Sequence, residues 1–185
     1  MKIKEHLVKF YIKNNIPLDR GIVKKTFEIP VLHVKFDLPN FSWRKSRSNI
    51  RDVEHIVNYQ DTSCKGEIFI ASWEIAVGYW RSFPRGIFPF WIMGFGSWRN
   101  PAAVRNGFYK GLSDRSITEL KMSREELMEM DLIQLQIFIE NTGVNFSFWQ
   151  KFLLYIISVV VSQIIFLLPF VLCGLYLFKN YTILL

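Results

Sequence analysis

The sequence is poor in the residue types that build disulfide frameworks and metal sites. It has two cysteines, Cys64 and Cys173, and three histidines among 185 residues. Two cysteines cannot form the several bridges of a small disulfide-stabilised fold, and Cys173 lies inside an apolar run far from Cys64 in the chain. The histidines have no spacing typical of metal ligands. We therefore predict a reduced protein that binds no metal ion or cofactor.

The motifs of common nucleotide-binding and hydrolytic sites are also missing. The sequence contains no phosphate-binding loop, no dinucleotide-binding glycine pattern and no Gly-x-Ser-x-Gly nucleophile turn. Residues 1–15 carry spaced lysines and no apolar stretch of signal-peptide length. These absences predict a protein that is not an enzyme and whose first part is not exported.

Acidic residues are absent after Gln150, and no charge of either sign occurs in residues 152–178. Of these 27 residues 22 are apolar, and about 20 apolar residues are enough for a helix to cross the hydrocarbon core of a bilayer. A lysine on each side of the run can reach the headgroups. The pattern predicts a tail-anchored layout, with one transmembrane helix in residues 151–180 and a short tail in residues 181–185.

Residues 1–150 contain most of the charge, with 21 basic and 16 acidic residues and a net charge of +5. The charges are mixed in sign, and the apolar run is adjacent. Anionic lipid headgroups are therefore a better-matched partner than nucleic acid. The positive-inside rule places this basic domain in the cytoplasm.

Several patterns predict the fold of this domain. Alternating apolar residues in Thr26–Leu38 and in Glu67–Val77 predict strands, and the basic segment 40–52 between them predicts a loop. Residues 1–15 predict an amphipathic helix that lies either on a membrane surface or against its own domain. We expect an α+β fold, with a small antiparallel sheet followed by helices and one C-terminal transmembrane helix.

The helical part of this expectation depends mainly on one strong signal. Ser123 and Glu126 form a capping box, and the apolar residues that follow recur at helical spacing until the Asn-Thr-Gly sequence at 141–143. One helix is therefore expected between them. Its main apolar stripe is Met128, Leu132, Leu135 and Ile139, and Leu127, Met130 and Ile137 widen it.

Residues 79–98 are rich in aromatic, proline and glycine residues. The prolines and glycines predict an irregular backbone, and the segment either packs into the core or contacts the membrane, where tryptophan is favoured. One polar residue, Gln163, interrupts the apolar run and is typical of a contact with another helix. The predicted interface residues are Trp73, Trp80, Trp91, Trp98 and Gln163.

A series of short motifs resembles a known family. The order is Ser-Phe-Pro-Arg at 82–85, Pro-Ala-Ala-Val at 101–104, Ser-Arg-Glu-Glu at 123–126, then Asp131 and Gly143-Val144. Residues 66–160 thereby resemble a phage-associated family of small proteins, the domain-of-unknown-function family numbered 1353. The motif residues that we single out are Ser82, Pro84, Arg85, Arg124 and Asp131.

The chain departs from the family pattern where chemistry is expected. Tyr79 stands where the family has an acid, and Arg105 and Asn106 stand where it has a His-Asp pair. Arginine and asparagine cannot replace that pair as metal ligands or as a base near neutral pH. The resemblance therefore implies a degenerate member, with no catalytic, metal or cofactor residue.

The apolar run and the resemblance together predict a function. We expect a phage- or prophage-encoded single-pass membrane protein, at the bacterial inner membrane or in the virion, that acts by binding or as a structural or assembly component. One alternative is a membrane-anchored, hydrolase-like enzyme with a degenerate site, for which Asp131 and Glu74 are the available acids. Another is an accessory subunit of a larger membrane complex. The expected partners are the lipid bilayer and either another protein or a second copy of this chain, and nucleic acid is not expected.

Overall fold

Most of the chain is helical in the computed structural model, which describes residues 1–18, 26–31, 34–39, 42–79, 86–140 and 145–183. Several helices begin where the sequence offers a capping side chain. Ser63 and Asn100 each accept a hydrogen bond from a backbone N–H in the first turn of the helix that follows. The described helices are α1 (Ile3–Lys13), α2 (Ser42–Val57), α3 (Cys64–Ala76), α4 (Ile87–Arg99), α5 (Pro101–Gly111), α6 (Arg124–Glu129), α7 (Leu132–Glu140) and α8 (Phe148–Ile183).

The expected α+β fold, with its small antiparallel sheet, is wrong because the protein is built from helices. The described strands are β1 (Thr26–Val31) and β2 (Val34–Pro39), which pair with each other as an antiparallel hairpin. In the part of the chain that the structure describes, no further strand extends this hairpin. The helical core elsewhere, and not a sheet layer, buries the apolar side chains.

Two segments account for this difference. The predicted strand Glu67–Val77 lies almost entirely in α3, and the predicted loop at 40–52 is helical from Ser42. Helix α3 is buried on nearly all sides, so its apolar residues follow neither the helical nor the strand period. A short apolar run of this kind is compatible with either a buried strand or a buried helix.

The described residues form two compact units that alternate along the chain. Unit 1 comprises Met1–Asp61 and Leu120–Ile137, and unit 2 comprises Thr62–Glu119 and Phe138–Leu185. The division after residue 150 that the sequence suggests stays a prediction.

Unit 1 is organised around the apolar face of α1. Ile3, Leu7, Phe10 and Tyr11 are buried, and α1 packs against α2 and α6. The predicted amphipathic helix is therefore confirmed, and its apolar face lies against its own unit rather than on a lipid surface.

The start of α1 is also joined to the segment between α6 and α7. The N–H of Ile3 donates to the carbonyl of Met130 at 3.0 Å, and the N–H of Leu132 donates to the carbonyl of Met1 at 3.3 Å. The capping box of Ser123 and Glu126 is confirmed. Because the backbone at Met130 is extended, the single helix expected after this box is divided into α6 and α7.

The apolar stripe predicted for that single helix is only partly buried. Leu127, Leu132, Leu135 and Ile139 are buried, whereas Ile137 is 63% exposed. The separate start of α7 changes which side chains face inward.

Unit 2 has α3 at its centre, packed between α4 and α5. Its core includes Ile68, Met93, Val104 and Phe108. Helix α5 approaches α3 so closely that a Cβ atom at Gly107 would lie 2.2 Å from the carbonyl oxygen of Phe69. Only a residue without a side chain permits this backbone contact.

Candidate membrane-contact surface

Helix α8 is the longest element of the protein, with 36 residues. Among the described residues it is the one helix that is long and apolar enough to cross a membrane, over Phe148–Asn180. Only 6% of its most apolar 18-residue window is buried inside the protein. Residues 167–180, in the second half of α8, are exposed throughout.

The first half of α8 packs on the rest of unit 2. The ring of Tyr155 lies 5.7 Å from that of Phe108 and 5.6 Å from that of Tyr109, both on α5. Tyr155 therefore contributes to the contact between α8 and α5.

Closer to its C-terminus than Tyr155, α8 packs against α4. A Cβ atom at Gly94 would lie 2.5 Å from the carbonyl oxygen of Ser162 and 2.6 Å from the Cβ of Phe166. The ring of Phe166 lies between the aromatic side chains of α4, 5.3 Å from Trp91 and 6.3 Å from Trp98. The absence of a side chain at Gly94 thus lets the two helices meet at backbone distance.

Hydrogen bonds from Gln163 join the same two helices. Its amide nitrogen donates to the carbonyl of Gly94 at 2.9 Å and to the hydroxyl of Ser97. Ser97 in turn donates to the same carbonyl of Gly94 at 2.9 Å. Gln163 thus contacts another helix, and that helix is α4 of the same chain; its role in an interface with a partner stays a prediction.

Helix α4 corrects the expectation of an irregular backbone for residues 87–98, whereas residues 80–85 of the same segment lie outside the described residues. Pro89 lies in the first turn of α4, where a backbone N–H has no acceptor within the helix. A proline at this position therefore removes no helical hydrogen bond. Gly94 and Gly96 lie where α4 meets α8 and α3, so close packing offsets their low helix propensity.

One face of α4 carries an exposed aromatic stripe. Its residues follow a spacing of three, four and three, which places them on one side of a helix. No charged residue occurs in residues 87–98. The aromatic stripe consists of Phe88, Trp91, Phe95 and Trp98, which are 42–69% exposed.

The predicted interface tryptophans have different environments. Trp91 and Trp98 belong to the aromatic stripe of α4. Trp73 is fully buried in α3, and its indole N–H donates to the carboxylate of Asp114 at 2.7 Å. The expectation that Trp73 forms an interface is therefore wrong, because its ring is part of the core of unit 2. Trp80 lies outside the described residues.

The residues chosen from the family motifs are not brought together in one described cluster. Ser82, Pro84 and Arg85 lie outside the described residues, and Arg124 is exposed in the first turn of α6. Asp131 in unit 1 accepts a hydrogen bond from the amino group of Met1 at 2.7 Å and another from the N–H of Ile133.

These contacts explain the state of Asp131. The bond from the Met1 amino group, followed by that from the Ile133 N–H, lowers the pKa of the Asp131 carboxyl group. Glu74, the other acid of the hydrolase alternative, is fully buried in α3 of unit 2. The two acids thus belong to different units.

The sequence analysis does not identify a group of buried polar side chains in the last turns of α2 and directly after it. Asp52, Glu54, His55 and Asn58 are each at most 4% exposed, and the hydroxyl of Tyr11 donates to Asp52 at 2.9 Å. Helical spacing places Asp52 and His55 on one face of a helix. The loop predicted for residues 40–52 obscures this pattern. Among the described side chains, no group of three potential metal ligands converges.

Comparison with protein-family models, with curated proteins and with solved structures finds no match to this chain.

Proposed function

We propose that the protein is a single-pass membrane protein in which α8 crosses the bilayer and fixes a helical, basic body at its surface. The observation that carries this proposal is the second half of α8, which is apolar and exposed at every residue from 167 to 178. Exposing so much apolar surface to water is strongly unfavourable, whereas a bilayer accepts it. The helix is about 54 Å long, which exceeds the roughly 30 Å of the hydrocarbon core.

The charges support a cytoplasmic location for the body. Lys151 directly precedes the charge-free segment of α8, and 21 of the 23 basic residues lie before Lys151. Basic residues are retained on the cytoplasmic side and are attracted to anionic headgroups.

Within this proposal the protein acts by binding, or as a structural component that holds another protein or a second copy of itself at the membrane. The phage association, and the choice between the bacterial inner membrane and a virion, rest on the resemblance of residues 66–160. An exposed apolar helix with two basic ends supports anchoring, whichever protein is recruited.

Membrane extraction with a matched pair of variants tests the anchor. Leu168→Arg with Leu172→Arg places two charges in the exposed part of α8, where each costs about 2.5–3.5 kcal/mol at the centre of a membrane helix. The control, Ile133→Arg with Ile137→Arg, changes two comparably exposed side chains of α7.

The intact chain and the α7 variant should remain with vesicles in alkaline carbonate and float with them in a density gradient. The α8 variant should lose flotation. Release of the intact chain by carbonate, or equal flotation of both variants, would show that α8 is not the anchor.

A further inference from the structure

We propose that α4 is a second membrane-embedded element, which lies beside α8 in one leaflet with its aromatic stripe against lipid acyl chains. This inference rests on the proposed membrane crossing by α8. It adds a second helix that enters the bilayer. Helix α4 cannot span the hydrocarbon core, because its 13 residues extend only about 20 Å.

The depth of α4 follows from the length of α8. Lys179 is the first charge after the apolar run, so the far edge of the hydrocarbon lies at or before Phe178. The 12 residues from Leu167 to Phe178, which are all exposed, extend only about 18 Å. A crossing of about 30 Å therefore has to continue back to about Val159. The contact of Gly94 with Ser162 and Phe166 falls inside that stretch.

The order of contacts along α8 agrees with this depth. Tyr155, which packs on α5, lies about 6 Å outside the near edge of the hydrocarbon, and Phe166, which packs on α4, lies about 10 Å inside it. This depth places α5, which carries Arg105 and Lys110, at the level of the headgroups. Helix α4, in contrast, has no charge before Arg99.

The amide donor of Gln163, between α4 and α8, is arranged as an apolar surrounding requires. The amide nitrogen of Gln163 would be costly to place in hydrocarbon without a partner, and Gly94 and Ser97 of α4 accept its hydrogen bonds. Beyond its first turn, the N–H groups of α4 are hydrogen-bonded within the helix, which permits burial in lipid. Arg99 at its end can extend to the headgroups.

The aromatic stripe is continuous with the lipid-facing surface of α8. Trp91, Phe95 and Trp98 all contact the ring of Phe166, which is itself followed by the exposed apolar residues of the second half of α8. Acyl chains of the same leaflet thus contact both helices.

Spin-label accessibility in the full chain tests this placement. Single cysteines are introduced at Phe88 and Phe95 of the aromatic stripe, with Cys64→Ser and Cys173→Ser removing the native thiols. Leu168→Cys serves as the lipid reference and Ser113→Cys, at an exposed position after α5, as the water reference. Each labelled protein is reconstituted in vesicles of phosphatidylcholine and phosphatidylglycerol. Collision with oxygen and with a water-soluble nickel chelate is then compared.

The expected result is an oxygen-to-nickel collision ratio at Phe88→Cys and Phe95→Cys that matches Leu168→Cys and is several-fold above Ser113→Cys. A ratio like that of Ser113→Cys, with Leu168→Cys still in lipid, would overturn the inference and leave the anchor intact. Low collision with both reagents at Phe88 and Phe95 would also overturn it, because protein would then cover the stripe. A water-like ratio at Leu168→Cys would overturn the proposed membrane crossing itself.

Discussion

Trp73 and Gln163 each place a polar group in an apolar surrounding and give it a partner. The Trp73 indole donates to Asp114, which also forms an ion pair with Lys110 at 3.1 Å, and the Gln163 amide donates to α4. A buried polar group that loses its partner costs more than the hydrogen bond contributes when it is formed. Each of these side chains therefore specifies where two elements meet.

Replacing Trp73 with phenylalanine should lower the free energy of unfolding by about 2–4 kcal/mol. The change removes the indole N–H that donates to the buried carboxylate of Asp114, and it leaves a cavity in the core of unit 2. Trp149→Phe, at a ring that is 74% exposed, is the matched control and should change stability by at most about 0.5 kcal/mol. Urea unfolding in detergent, followed by circular dichroism, measures both. Equal stability of the two variants would contradict the assigned role of Trp73.

At the scale of elements, close approach between helices organises unit 2. Gly107 lets α5 meet α3, and Gly94 lets α4 meet α8. Such contacts between small residues are typical of helices that pack in membranes, where the hydrophobic effect between helices is weak.

Gly94→Ala should separate α4 from α8. The added Cβ atom would lie 2.5 Å from the carbonyl of Ser162, so one helix has to move. Gly174→Ala makes the same chemical change in the exposed second half of α8, where the added Cβ atom would meet nothing within 4 Å. Proteolysis in mild detergent should cleave Gly94→Ala faster than the intact chain, with Gly174→Ala unchanged. Equal cleavage of both variants would show that the α4–α8 contact does not depend on Gly94.

The junction of α1 with α6 in unit 1 should depend on pH. The side chains of Lys2, at 2.5 Å, and Lys4 donate to Glu129, and these hydrogen bonds lower the pKa of Glu129 from 4.5 to about 2. A lowered pKa means that the ionised form stabilises the fold. This contribution is complete above about pH 4.5 and is lost as the pH falls through about 2.

The comparison of the intact chain with Glu129→Gln isolates this contribution. The stability of the intact chain should fall more steeply between about pH 5 and pH 2 than that of Glu129→Gln, and added salt should reduce the difference because the pairs are exposed. Glu125→Gln, at another exposed acid of α6, should follow the intact chain. Parallel pH profiles for the intact chain and Glu129→Gln would contradict the assignment.

At the scale of the whole molecule, the parts that could be predicted from sequence are those set by local pattern. The long apolar helix, the face of α1 and the capping box at Ser123 all depend on residues near one another in the chain. Helix α3 could not be distinguished from a strand, because burial on all sides removes its periodicity. Contacts such as Gln163 with Gly94 join residues 69 positions apart, and no local pattern encodes them.

Labelling at the two ends of α8 tests most directly whether this helix crosses a bilayer. Phe148→Cys and Asn180→Cys are made separately in the chain that carries Cys64→Ser and Cys173→Ser. The two sites are about 48 Å apart along the helix, more than the full thickness of a bilayer. A membrane-impermeant maleimide is added to sealed spheroplasts, in which only the outer side of the inner membrane is accessible, and again after permeabilisation. We expect Asn180→Cys to react at once and Phe148→Cys only after permeabilisation, whereas reaction of both thiols from the same side would contradict the account.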